Sequence, residues 1–177
     1  MHPKDIGLSY DAIAHLWRET PIQSNGLPQL ERTLRFASQC CSGRFALDIG
    51  CGCSGRFIDA LARHGFKVEG VDVSERMIEL ARQSHPHISF HHEDICDWDF
   101  PRKYDFVLAW DSIWHIPLDW QESVLRKICE ALAPGGVFMF TTGGLDKAEE
   151  KSDSCMGPPM YYSALGIPKT LELPGNR

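Results

Sequence analysis

The sequence predicts an α/β fold built on a doubly wound, mostly parallel sheet. Three observations carry this. Short apolar runs alternate with helical periodicity from residue 45 to 142, the pattern of a parallel sheet with right-handed crossovers. The first run, Phe45-Ala46-Leu47, leads into a turn with Gly50, Gly52 and Gly55 at G-x-G-x-x-G spacing, and a helical stretch follows. The second run, Lys67 to Asp72, ends on an acid 22 residues after Gly50 (72 − 50). A carboxylate there can hold both hydroxyls of a ribose.

Each element has a local reason. Residues 8–18 fit a helix with Ile13, Leu16 and Trp17 on one side, followed by a loop from Thr20 to Pro28. Pro28 suits the first turn of a second helix reaching about Cys40, with Leu30, Leu34 and Ala37 or Phe36 inward. After the first strand, Ser54 is a candidate cap for a helix with Phe57, Ile58, Leu61 and Ala62 on its apolar face. Gly65 can end that helix in a left-handed turn. Ser74 is placed to cap a helix carrying Met77, Ile78 and Ala81, stopped by Pro86. A short strand runs from Ile88 to His91. The next, Tyr104 to Trp110, is mostly continuous in apolar character, which suits a sheet covered on both faces. Asp119 is a candidate cap for a helix with Val124, Leu125, Ile128 and Leu132 inward, ending at Ala133-Pro134-Gly135-Gly136. The fifth strand is Val137 to Thr142. Residues 143–160 read as loop or lid, and Tyr161 to Leu173 as weakly helical.

One domain over 1–177 is expected: N-terminal helices at 8–40, a core at 44–142 and a tail at 143–177. Charged residues make up 24% and the net charge is −6, which argues against a nucleic-acid surface as the main business of the chain. No apolar run approaches the ~18 residues of a membrane span, and the N-terminus does not read as a signal peptide. A cytoplasmic location is therefore expected. The cysteines, an odd seven, read as reduced thiols. Cys51-x-Cys53 and His91-His92-Glu93 lack a second pair at zinc spacing, so no metal site is expected.

With these pieces in order, the chain resembles a class I S-adenosylmethionine-dependent methyltransferase over about residues 8–142. The resemblance rests on Leu47-Asp48-Ile49-Gly50-Cys51-Gly52-Cys53-Ser54-Gly55, on Gly70-Val71-Asp72-Val73-Ser74 with Met77, on Asp94-Ile95, and on Leu132-Ala133-Pro134-Gly135-Gly136. Asp105, in Tyr104-Asp105-Phe106-Val107, is also similar to the family. It implies a Rossmann-like methyltransferase fold that takes S-adenosylmethionine and leaves S-adenosylhomocysteine. It further implies that Asp48 orders the glycine loop and reaches toward the methionyl amine, and that Gly50, Gly52 and Gly55 let the cofactor lie on backbone. In the same way Asp72 would hold the ribose, Val73 and Met77 would pack on the adenine, and Asp94 with Ile95 would read its edge. Tyr10 is similar to a family tyrosine near the methionyl carboxylate, or else is a packing aromatic. A dinucleotide-binding oxidoreductase is the rival on the same fold. Its signature usually has an apolar residue where Asp48 stands.

The loop from Trp110 to Pro117 follows the fourth strand, and ligands in such sheets lie beyond the strands' carboxyl ends. Trp110 is accordingly a cofactor-side candidate. His115 is the candidate base, or alternatively only shapes the pocket. Trp110, Trp114, Tyr161 and Tyr162 are candidates for an apolar acceptor site for a small molecule. The chain departs from the family after the fifth strand, where an antiparallel hairpin usually completes the sheet. The tail is rich in breakers, and the hairpin reads as missing. That opens an alternative, a cofactor-binding remnant or regulatory protein without turnover. It also leaves an apolar edge strand, through which self-association is expected unless the tail covers it.

Overall fold

The computed structural model describes residues 1–19 and 25–173. The expected loop at 20–28 and the final Pro174 to Arg177 thus lie partly or wholly outside the described residues. Helices α1 (Pro3–Glu19) and α2 (Leu27–Cys40) precede β1 (Phe45–Ile49), α3 (Arg56–Arg63), β2 (Lys67–Asp72), α4 (Glu75–Ser84), β3 (Ser89–His92) and β4 (Tyr104–Ala109). A 3-10 turn (Ile113–His115), α5 (Leu118–Glu130), β5 (Leu132–Phe140), β6 (Glu149–Asp153), β7 (Met160–Ala164) and α6 (Ile167–Glu172) complete the chain. Among the described residues no helix is long and apolar enough to cross a membrane.

Five parallel strands form one sheet in the order β3-β2-β1-β4-β5. Chain order reverses beside β1, so the loops leaving β1 and β4 diverge and open a crevice at the carboxyl edge. Strand periodicity divides the core between the two faces. Ala46, Phe106 and Leu108 pack with Leu30, Leu34, Ile58 and Leu61 of α2 and α3. Leu47, Val107 and Ala109 pack with Val124, Leu125 and Ile128 of α5. β4 is buried along its whole length, as its mostly apolar run suits, with Asp105 as the polar exception. Each fully buried large aliphatic contributes about 1.5–3 kcal/mol of transfer free energy. The Asp105 carboxylate accepts the N–H groups of Gly43 and Phe45, both at 2.9 Å, which fixes where β1 begins beside β4.

The helix ends differ from expectation in two places. α3 starts at Gly55 in a left-handed conformation (φ 67°) with no side-chain cap, so Ser54 does not serve as one. α5 starts after Pro117, which leaves Asp119 in the first turn, where it complements the helix dipole. Ser74 does cap α4, accepting from the Met77 N–H at 3.1 Å. Of the expected inward faces, Ile13, Leu30, Leu34 and Ala37 are buried, whereas Leu16, Trp17, Phe36 and Ala62 are exposed. Ala60 takes the core position on α3. β5 begins at Leu132 and absorbs Ala133 to Gly136 as a register shift opposite Tyr104 and Phe106. Gly135 (φ 77°) lies so close to the end of α2 that a Cβ there would stand 2.4 Å from the Cys40 carbonyl oxygen.

The tail corrects the reading of residues 143–173. It forms an antiparallel hairpin, β6–β7, with Glu149 opposite Ala164 and Asp153 opposite Met160. This hairpin does not extend the main sheet. It lies over the 3-10 turn, and side chains hold it there. Gln121 Nε2 donates to the Ser163 carbonyl (2.9 Å) and hydroxyl (2.7 Å), and the Ser163 hydroxyl donates to the Ile116 carbonyl (2.6 Å). These anchors come from α5 and from the loop after β4, so no sequence-local pattern announces the hairpin.

Candidate functional site

A cavity of about 460 Å³ opens above the carboxyl ends of β1, β2 and β4. Its floor is the glycine loop. Gly50 has φ 69°, and a Cβ there would stand 2.3 Å from the Ser112 Cβ. Bare backbone is needed because the loop after β4 crosses at that point, and the Ser112 hydroxyl fastens the crossing by donating to the Ile49 carbonyl at 2.9 Å. Gly52 (φ 57°) faces the cavity, and a Cβ there would meet nothing within 4 Å. Gly55 does not line the cavity. It is the seat of His85, whose ring a Cβ would approach to 2.1 Å.

Asp72 ends β2 on the cavity wall and binds backbone on both sides. Its Oδ2 accepts the Gly52 N–H and its Oδ1 the Ser74 N–H, each at 2.9 Å. Burial raises its carboxyl above the ordinary range, and these two donors offset only part of the rise. Asp48 lies beneath the loop, 2% exposed and outside the lining. Burial, with the Asp72 charge adding to it, pushes its carboxyl up to about 8, while Arg56 opposes the shift. Val73, Met77, Asp94 and Ile95 continue the same wall. Asp94 Oδ1 accepts the Cys96 N–H at 2.9 Å. Its Oδ2 is buried without a hydrogen-bond partner. A buried acceptor left unsatisfied is costly, which marks the position for a donor carried by a ligand.

The opposite wall is aromatic. Trp110 is held between Gly26, whose Cβ would stand 2.6 Å from its ring, and Phe57, with ring centroids 5.9 Å apart. Tyr10, from α1, reaches across to His115 in the 3-10 turn, and its hydroxyl lies 2.9 Å from His115 Nε2. His115 Nδ1 lies 2.7 Å from the Tyr161 carbonyl, which can only accept, so Nδ1 carries the proton. Nε2 is then the acceptor, shared by the Tyr10 hydroxyl and the Trp114 indole N–H at 3.2 Å. Burial lowers the His115 pKa and keeps the ring neutral. Burial likewise raises that of Tyr10, which stays a phenol.

Of the expected residues, Tyr10, Gly50, Gly52, Asp72, Val73, Met77, Asp94, Ile95, Trp110 and His115 share this one cavity, whereas Asp48 and Gly55 lie outside its lining. Trp114 and Tyr162 also line it. Tyr161 does not, because its hydroxyl donates to Glu150 and accepts the Leu118 N–H. Arg56 and Met156, which the sequence reading did not single out, line the cavity too, as do Asp111 and Ser112, which it named only as part of the loop from Trp110 to Pro117. Asp111 is the one non-glycine residue with positive φ (54°) among the described residues, a property no sequence pattern exposes. Among the described residues no group of three His, Cys, Asp or Glu side chains could hold a metal ion.

Comparison with known proteins accords with this geometry. A family model described as a methyltransferase domain matches residues 46–136. A ubiquinone biosynthesis O-methyltransferase of Coxiella burnetii is 36% identical over 106 residues, 56% of this chain and 44% of that protein. One from Alkalilimnicola ehrlichii is 28% identical over 153 residues, 80% of this chain and 60% of that protein. The chain thus spans about half the length of these curated relatives. The same fold is found in a Burkholderia thailandensis 1,6-didemethyltoxoflavin N1-methyltransferase, solved with its acceptor and S-adenosylhomocysteine. Its TM-score is 0.70 at 18% identity, over 96% of this chain and 74% of that one. The CcbJ methyltransferase of Streptomyces caelestis has a TM-score of 0.65 at 20% identity, covering 91% and 82%.

Proposed function

The chain belongs to the methyltransferase-domain family, and on that premise we propose that it transfers the methyl group of S-adenosylmethionine to a small molecule. One observation carries the reading. On the wall over β2 and β3, Asp72 stands at the end of β2, and the buried Asp94 Oδ2 beyond β3 has no partner. A ribose beside Asp72 and an exocyclic amine donating to Asp94 satisfy both. The dinucleotide alternative loses its ground with the family match.

The cofactor supplies a methyl group already activated on a sulfonium, so the chain's share is alignment and exclusion of water. Asp72 keeps lone pairs for the ribose hydroxyls while holding the Gly52 N–H. Val73 and Met77 flank the base, and the bare backbone at Gly52 admits the methionyl arm. Asp48 orders the loop from beneath. His115 is a positioning residue in this reading. Its one free lone pair is engaged by Tyr10 and Trp114, and its N–H ties the tail hairpin down.

The test is turnover, measured as S-adenosylhomocysteine released from S-adenosylmethionine across a panel of small acceptors. Turnover at limiting S-adenosylmethionine is expected to fall in Asp72→Ala along with its affinity. Tight binding with no turnover on any acceptor class would instead assign the chain a cofactor-binding role. For assembly, we place self-association on the outer edge of β5, which pairs with no strand among the described residues. Light scattering checks this: dimers or larger species are expected, and a monodisperse monomer contradicts it.

A further inference from the structure

Asp11 lies on α1 next to Tyr10, outside the cavity lining. Its Oδ1 accepts the Ser74 hydroxyl at 2.6 Å and the Arg76 N–H at 3.0 Å. The Arg76 N–H is among the first donors of α4, which have no carbonyl partner within their own helix. Asp11 therefore caps α4 from another helix, and its charge stands at the favourable end of the α4 dipole. Ser74 carries the connection onward. Its hydroxyl donates to Asp11 while accepting the Met77 N–H at 3.1 Å, and its own N–H donates to Asp72 Oδ1 at 2.9 Å. A run of hydrogen bonds thus leads from α1, through one serine, to the carboxylate at the end of β2.

The helix is fitted to this position. Gly7, one turn before Asp11, lies so close to the chain below that a Cβ there would stand 2.5 Å from the Val73 carbonyl oxygen. Glycine inside a helix costs stability relative to alanine, and contact with the backbone between Asp72 and Ser74 is what requires it here. Residues 7 and 11 share one face of α1, so the close approach and the Asp11 bonds act together. The two residues before Asp11 fasten the helix elsewhere. The Ser9 hydroxyl donates to the Pro159 carbonyl at 2.7 Å, and the Tyr10 hydroxyl lies 2.9 Å from His115 Nε2.

We propose that Asp11 is a positioning residue for the ribose: acting through Ser74, it fixes the Asp72 carboxylate, and docking of α1 completes the ribose seat. This rests on the methyl-donor reading above and adds a residue on which that site depends without touching the ligand. Each Asp72 oxygen already accepts one N–H, from Gly52 and from Ser74. The lone pairs that remain can meet two ribose hydroxyls only while the plane of the carboxylate is held. Without Asp11 the Ser74 hydroxyl loses its anchor and the Arg76 N–H its acceptor, and the Ser74 N–H that aims Asp72 can shift. Docking of α1 and binding of the cofactor then favour each other by the same factor.

The test compares S-adenosylhomocysteine with its 2′-deoxy analogue by titration calorimetry on the whole chain. In wild type the missing hydroxyl is expected to cost about tenfold in affinity, the worth of one charge-assisted hydrogen bond. In Asp11→Ala that ratio falls to within about threefold, whereas Asp11→Asn, whose amide oxygen can accept both bonds, keeps it. Ser74→Ala removes the hydroxyl but leaves the N–H. It repeats the Asp11→Ala result, carries the comparison should Asp11→Ala not fold, and lowers the ratio no further when the two are combined. A loss of stability alone weakens both ligands together and leaves the ratio at about tenfold. Hydrogen exchange of the α1 amides is expected to slow when S-adenosylhomocysteine binds wild type, and to slow less in Asp11→Ala. A wild-type ratio near one, a ratio that survives Asp11→Ala or Ser74→Ala, an equal fall in Asp11→Asn, or α1 exchange indifferent to the ligand overturns the proposal. Failure of wild type to bind either ligand is a separate outcome that removes the donor reading, and the proposal with it.

Discussion

Over β1, β2 and β3 the cavity wall is backbone and carboxylate, contributed by residues 49–95 in three short stretches. Over β4 it is aromatic side chains, contributed by α1, the 3-10 turn and the tail hairpin, with partners up to 105 residues apart. The first wall is held by N–H donors locked into turns at Gly52 and Ser74. The second is held by His115, where three segments meet. A wall of fixed backbone suits a ligand that does not vary, whereas a wall of side chains on separate elements can be altered residue by residue without disturbing the sheet.

The sharpest way to break this comparison is at Asp72. Asp72→Ala removes the carboxylate that holds the Gly52 and Ser74 N–H groups and, in the proposed reading, the ribose. It is expected to lower S-adenosylhomocysteine affinity by about tenfold to a hundredfold, at ~1.5–3 kcal/mol per charge-assisted bond and less than additively. Unchanged affinity in a titration would reduce Asp72 to a loop brace. Gly50→Ala comes next. It adds a left-handed penalty to a 2.3 Å contact with Ser112, for a loss of about 2–3 kcal/mol in chemical denaturation. Gly52→Ala, with open space around the new methyl, should cost only about 1 kcal/mol. Equal losses at the two positions would contradict the loop crossing at Gly50.

At the other wall, His115→Ala orphans the Tyr10 hydroxyl, the Trp114 N–H and the Tyr161 carbonyl. A stability loss of about 2 kcal/mol is expected, with cofactor affinity within a few-fold of wild type. A large fall in affinity without loss of stability would move His115 to the cofactor side. A further effect is on pH dependence. The Asp48 carboxyl, pushed up from 3.8 to about 8 in the fold, keeps a proton that the unfolded chain has lost. Its contribution is therefore fully present below pH ~4 and is lost as pH rises through about 8. Thermal melts of Asp48→Asn should show a flatter decline between pH 5 and 8 than wild type; identical slopes would mean that Asp48 ionises freely.

The asymmetry between the walls also explains what the sequence made legible. The strands, their order of appearance and the glycine loop are local: spacing, apolar runs and one acid suffice, and Gly50, Gly52, Asp72 and Asp94 lie where those signals put them. What escaped depends on meetings between distant segments. Gly55 carries the fingerprint spacing, yet it serves His85, a residue on the far end of α4. The tail looked too rich in breakers for strands. β6 and β7 nevertheless pair because Gln121 and Ser163 fasten β7 over the 3-10 turn, contacts that need the fold already in place. Asp111 gave no signal because its distinction is a backbone angle.

The central claim is that the wall over β1–β3 holds S-adenosylmethionine. Titration calorimetry with S-adenosylmethionine, S-adenosylhomocysteine and NAD, on wild type and Asp72→Ala, tests it most directly. Saturable one-to-one binding of both sulfur ligands, weakened at least about tenfold by Asp72→Ala and with no response to NAD, is the predicted result. Saturable NAD binding with no response to either sulfur ligand would contradict it.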